Sequence, residues 1–208
     1  FNAKDGNDNN NGRTISSAFK SLKKITELDI KGGDSILLAG GITFYESMTL
    51  KGLKGTAQKP IVVSSYFVNQ QKEQAKIDAK GFANGILILN CQYVEVNNLY
   101  ITANGGKTEP INGKIPPMRC GVLVTTNYVN TFTGISLVNL KIKDVYFEEV
   151  GFTRGKEEVR TENGTQKYGW GIRFINETDK AILQNLKIDG CEISNVSHTG
   201  LKFTGKKE

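Results

Sequence analysis

Gly171-Ile172-Arg173-Phe174 returns 29 residues later as Gly200-Leu201-Lys202-Phe203. The same piece occurs upstream as Gly85-Ile86-Leu87-Ile88 and Gly121-Val122-Leu123-Val124. Each is a glycine followed by an alternation whose second and fourth residues are apolar or large, the pattern of a half-buried strand. The intervals are 36, 50 and 29 residues, which marks a repeat architecture whose longer cycles carry insertions. A second frame matches Asn98-Leu99-Tyr100-Ile101 with Asn139-Leu140-Lys141-Ile142 and Asn185-Leu186-Lys187-Ile188. It brings Val94, Ile135 and Ala181 together, and Val96, Leu137 and Leu183. A third pairs Val145, Phe147 and Val150 with Cys191, Ile193 and Val196. Three short strands per cycle predict an all-β parallel β-helix, in which each rung buries its stripe only against the next. A β-sandwich is the alternative, and it leaves the agreement of three frames to accident.

Outward from these repeats, Ser35 to Ala39 and Ile61 to Tyr66 read as strands of the first coils. Residues 1–12 are rich in Asn, Asp and Gly and read as turns. A helix is expected to open at Ser16 or Ser17, with Phe19, Leu22, Ile25 and Leu28 as its apolar stripe, and to stop at Gly32-Gly33-Asp34. Laid over the first rung, that stripe caps an otherwise open sheet edge. The expected division is 1–34 for turns and capping helix, 35–84 for the first coils and 85–208 for regular coils. Insertions fall at 102–119 and 152–169. The chain ends directly after a coil strand without a visible cap. The expectation is a longer solenoid, or association through that end.

Composition narrows the function. The 208 residues fit one domain, and no apolar run approaches the ~20 residues of a membrane span. Three widely spaced cysteines and one histidine exclude a disulfide framework and a zinc site. The net charge of +6 favours polyanionic partners. Nucleic acid is disfavoured among them, since no binding signature is present and the lysines are scattered. Phe1 in place of Met is compatible with a removed leader, which makes a secreted, periplasmic or cell-surface bacterial protein the expectation.

Several stretches resemble secreted right-handed parallel β-helix proteins of the pectate-lyase-like superfamily, in their N-terminal part. They are Asp5-Gly6-Asn7-Asp8 with Ala18-Phe19-Lys20-Ser21-Leu22, then Gly33-Asp34-Ser35-Ile36-Leu37-Leu38 and Gly40 to Tyr45. Gly55-Thr56-Ala57-Gln58-Lys59-Pro60-Ile61-Val62-Val63 and the coils themselves complete the likeness. The resemblance implies a right-handed coil and a carbohydrate-active protein. It does not specify the reaction, because that superfamily holds polysaccharide lyases, glycoside hydrolases and non-enzymes.

In the glycine-led frame the third residue points outward, giving the series Leu87, Leu123, Arg173, Lys202. Rungs are about 4.8 Å apart, so Arg173 and Lys202 should be neighbours whose repulsion a bound anion relieves. His198 sits in the turn before Lys202 and is a candidate general base. The two insertions lead into the same strands and are expected to overhang this face. They offer Arg119, Arg154, Lys156, Arg160, Tyr168 and Trp170 as substrate-binding residues, the two aromatics by stacking on a sugar ring. The plain alternatives are solvated surface charges, a turn histidine and a tucked tryptophan. Eliminative cleavage of an acidic polysaccharide needs a base and a group that neutralises the uronate carboxylate, which His198, Arg173 and Lys202 would supply. Glycoside hydrolysis needs two carboxylates. Glu148, Glu149, Glu157 and Glu158 are available but show no pair spacing. A non-catalytic binding protein is the remaining reading. Ca²⁺ is possible at Asp5, Asp8 and the nearby asparagines, although turn formation explains them. No other cofactor is implied.

Overall fold

The computed structural model describes residues 1–68, 72–104, 113, 118–146 and 168–205, the Tyr168 side chain excepted. Its strands fall into five coils of three. Coil one holds β1 (Ser35–Ala39), β2 (Thr43–Phe44) and β3 (Met48–Lys51). Coil two holds β4 (Ile61–Tyr66), β5 (Ala75–Asp78) and β6 (Asn84–Leu89). Coil three holds β7 (Val94–Asn97), β8 (Leu99–Ala103) and β9 (Met118–Thr126), followed by the short β10 (Thr131–Thr133). Coil four holds β11 (Ile135–Val138), β12 (Lys141–Val145) and β13 (Tyr168–Asn176), followed by β14 (Ile182–Gln184). Coil five holds β15 (Lys187–Asp189), β16 (Glu192–Val196) and β17 (Thr199–Thr204). Corresponding strands stack into three five-stranded sheets, and β10 pairs with β14; the pairing is parallel throughout. The result is a right-handed parallel β-helix, the hand that parallel crossovers of twisted strands adopt.

The glycine-led frame stacks in the expected register. Ile86, Val122, Ile172 and Leu201 form one column, Leu87, Leu123, Arg173 and Lys202 the next, and Ile88, Val124, Phe174 and Phe203 a third. The first and third columns point inward and are buried through coil four. Each fully buried aliphatic side chain contributes roughly 1.5–3 kcal/mol. Phe203 lies parallel to Phe174 with centroids 4.6 Å apart. Phe203 is 56% exposed, and Leu201 of the same strand and Ile182 of β14 are exposed as well.

Two readings require correction. The last coil is displaced by one strand from the expected alignment. Lys187 and Ile188 pair with Ser136 and Leu137, while Lys141 pairs with Glu192 and Ile142 with Ile193. Leu183 pairs with Phe132 of β10, and Val145 with Val196. The cause lies in two left-handed turns that flank the first sheet and look alike in sequence. Tyr93, Gly134 and Asn185 hold positive φ on one side of it, and Asn98, Asn139 and Gly190 on the other. An asparagine in that conformation before an apolar alternation therefore occurs at both turns.

The second correction concerns the cap. The expected helix is two 3₁₀ segments, η1 (Ile15–Ser17) and η2 (Leu22–Glu27), joined by extended backbone at Ala18. The apolar stripe recurs strictly every third residue, which is the period of a 3₁₀-helix rather than 3.6. The capping role itself is met, because Leu22 and Ile25 are buried and η2 packs on β3. The Asp8 carboxylate fixes the approach, accepting from the backbone N–H of Lys20 and Ser21 and from Ser21 Oγ at 2.6–2.9 Å. Asn2, Asn7 and Asn11 accept backbone N–H bonds two residues on. The acidic N-terminal stretch is thus built as turns.

Candidate functional site

The glycines of the repeated frame set the geometry of the outer face. A Cβ on Gly121 would sit 2.5 Å from Ile142 Cγ2 in the core and 2.7 Å from the Gly171 carbonyl oxygen. One on Gly171 would sit 2.5 Å from Ile193 Cγ2 and strike the Gly200 carbonyl. These positions therefore face inward, and so do the following residues, Val122 and Ile172. Two consecutive inward positions turn the chain around a corner of the coil. The residue before the glycine then shares the outer side with the residue two after it. This is why Cys120, Leu123 and Trp170 form a small apolar cluster of their own, lined by Leu87, Met118 and Ile175.

Trp170 is the centre of the candidate site. The Arg173 guanidinium carbon lies 4.5 Å from its ring centroid, and Lys202 Nζ lies 5.1 Å away. The His198 imidazole is 4.5 Å from the same ring, inclined at 40°. Arg173 and Lys202 are Cα partners on adjacent rungs, as their spacing implies. Three residues expected separately for chemistry are thus gathered on one indole. Its negative π face relieves part of the repulsion between the two cations, each contact contributing about 0.5–2 kcal/mol. His198 is held by its own N–H bond to the Gly169 carbonyl at 3.0 Å, with Nδ1 2.5 Å from the Thr199 hydroxyl. Burial pushes the Cys120 thiol up to about 12, against the opposing pull of Arg173. Cys120 is therefore a neutral packing group and not a nucleophile.

Two expected binding residues lie elsewhere than on an open surface. Trp170 is 1% exposed, so in this structure it supports the cations instead of offering a face to a sugar. Arg119 is also fully buried, and its Nη1 donates to the Tyr146 carbonyl at 2.7 Å and the Ala103 carbonyl at 3.4 Å. Those carbonyls lie just after β12 and at the end of β8, so Arg119 ties coil three to coil four. Arg154, Lys156, Arg160, the Tyr168 side chain and Glu148, Glu149, Glu157 and Glu158 lie outside the described residues. Among the described residues no three His, Cys, Asp or Glu side chains converge on a metal position.

A second basic and aromatic arrangement was not expected. On the outer face of the β2-β5-β8-β12-β16 sheet, Lys76, Tyr100 and Lys141 are Cα partners on successive coils. Their ammonium groups lie 5.3 and 5.4 Å from the Tyr100 centroid. The sequence signal was present in the matched frame, where Tyr100 and Lys141 hold one position, but reading frames singly hides contacts between rungs.

No protein-family profile matches the chain, and no curated relative matches it. Solved structures do. A GH136 lacto-N-biosidase from Eubacterium ramulus aligns over 96% of this chain and 35% of its own, with TM-score 0.71 and 22% identity. Its selenomethionine form aligns over 94% and 34%, with TM-score 0.70 and 23% identity. An alginate lyase from Paenibacillus sp. str. FPU-7 aligns at TM-score 0.32 and 15% identity, over 88% of this chain and 71% of its own. The chain spans about a third of the length of the GH136 structures it matches, and the likeness to them is one of fold.

Proposed function

We propose that this chain is part of a carbohydrate-active β-helix protein whose Trp170 cluster binds an acidic polysaccharide and cleaves it by β-elimination. The observation that carries the reading is the convergence of Arg173, Lys202 and His198 on one indole. Two cations held a rung apart suit a uronate carboxylate, and their charge acidifies the proton on the carbon beside it. His198 takes that proton as general base. The electron pair left behind forms the C4–C5 double bond as the C4–O glycosidic bond breaks, and the departing oxygen takes a proton from solvent. In this reading Trp170 positions the cations and has no contact with sugar. A secreted or cell-surface location belongs to the same proposal.

Hydrolysis on the same coil is a second reading, prompted by the lacto-N-biosidase among the similar structures. It requires two carboxylates flanking the bond. The assay that separates the readings is incubation with uronate and sulfated polysaccharides, with and without Ca²⁺, followed by ultraviolet absorbance of unsaturated ends and by reducing-end titration. Elimination raises both signals. Reducing ends without absorbance would replace the lyase by a hydrolase, and neither signal with retained binding would leave a binding module.

A further inference from the structure

The geometry points to a second polyanion-binding surface, on the outer face of the β2-β5-β8-β12-β16 sheet and separate from the Trp170 cluster. Along the coil axis the face alternates aromatic and cationic side chains. Tyr45 of coil one is 60% exposed, and Lys80 of the following coil lies over its ring at 4.4 Å. Lys80 itself has a left-handed backbone, φ 44°, which fixes the direction its side chain leaves the turn. Lys76 of coil two and Lys141 of coil four then flank Tyr100 of coil three. Lys143, two residues beyond Lys141 on the same strand, adds a cation beside the row on that rung.

Rungs repeat at about 4.8 Å, so Lys76 and Lys141 stand about 10 Å apart along the axis. An ammonium resting on a ring keeps its other donors for an anion. The row therefore suits an extended chain with anionic groups at regular intervals, lying along the coil. The face also holds Asp78, bridged to Lys76 at 3.4 Å, together with Asp144 and Glu192, the last a Cα partner of Lys141. These carboxylates keep the surface from being uniformly positive. Discrete positions spaced by the rungs, not a general positive field, are what it offers. Ammonium groups from both neighbouring rungs rest on Tyr100, which opposes base stacking and favours an acidic polysaccharide over single-stranded nucleic acid.

The test is affinity electrophoresis of the full chain in native gels containing alginate or heparin, with oligo-dT as a counter-probe. The Lys76→Gln/Lys141→Gln variant keeps the stems packed and removes both charges. It should weaken retardation on at least one glycan by about three- to tenfold, the sum of two exposed charge contacts, with the circular dichroism of the folded coil unchanged. Lys80→Gln should give a smaller loss in the same direction. The Trp170 fluorescence response to a short uronate should be unchanged in both variants, which separates this surface from the proposed active site. Unchanged retardation, or tighter binding to oligo-dT than to either glycan, overturns the proposal.

Discussion

Replacing Gly121 by Ala adds one methyl group at a crowded corner of the coil. The new Cβ would lie 2.5 Å from Ile142 Cγ2, 2.7 Å from the Gly171 carbonyl oxygen and 3.5 Å from Val145 Cγ2. The first contact is relieved by a rotamer change, but the second is to backbone paired in β13 and requires the rung to shift. Overpacking of this kind costs about 1–3 kcal/mol. Gly200→Ala is the internal control, because the same change there meets only Ile193 Cγ2 at 3.6 Å, an ordinary contact. The lower conformational entropy of the unfolded alanine chain makes that substitution neutral or stabilising by up to about 1 kcal/mol. The two variants should differ by about 1–4 kcal/mol. At roughly 2–4 °C per kcal/mol for a chain of this size, Gly121→Ala should melt about 2–16 °C below Gly200→Ala. Thermal unfolding followed by circular dichroism measures the difference. Equal melting temperatures would refute the stacked-glycine corner and the register built on it.

Arg119→Met should destabilise the coil by about 1–3 kcal/mol, because the Tyr146 carbonyl loses this donor while the Ala103 carbonyl keeps the Tyr146 N–H; the change is read as a lower urea midpoint, and binding should fall only through unfolding. Burial raises Cys91 to about 11 and Cys120 to about 12, from the ordinary 9.0. Their neutral form is favoured in the folded state, so that contribution is complete below pH 9 and lost as pH rises through 11 to 12. Thiol titration of the native protein at pH 8 should therefore detect only the half-buried Cys191, with all three reacting in denaturant. Burial opposes ionisation of Asp8, but bonds from Ser21 and Lys20 and the charge of Lys23 outweigh it and hold the carboxyl below its ordinary 3.8. Asp8→Ala should loosen the N-terminal segment by about 1 kcal/mol at neutral pH. The wild-type advantage should vanish as pH falls through the depressed value, measured as proteolytic susceptibility of residues 1–30.

Strand alternation and glycine spacing made the architecture and the Arg173–Lys202 pairing legible, because both follow from a period of two and a fixed rung height. The Asn185 frame misled because a left-handed asparagine serves two different turns. Trp170 misled for another reason. Alternation places residues 170 and 173 on opposite faces, and the corner at Gly171 brings them to the same one. Arg119 was read as a loop cation, whereas it lies at the start of a buried strand and meets one carbonyl of its own coil and one of the next. Such contacts join residues 16 and 27 positions apart and leave no local mark in the sequence.

Trp170 is the sole tryptophan of the chain and lies within the proposed site, so intrinsic tryptophan fluorescence reports on that site alone. Titration with a short oligouronate should give a saturable change in emission as the anion draws Arg173 and Lys202 from the indole. The same titration of Arg173→Ala/Lys202→Ala, shown by its circular dichroism to be folded, should give none. A saturable change that persists in the double variant, or no change in the wild-type protein despite retention on uronate gels, would contradict the assignment of this cluster as the polysaccharide site.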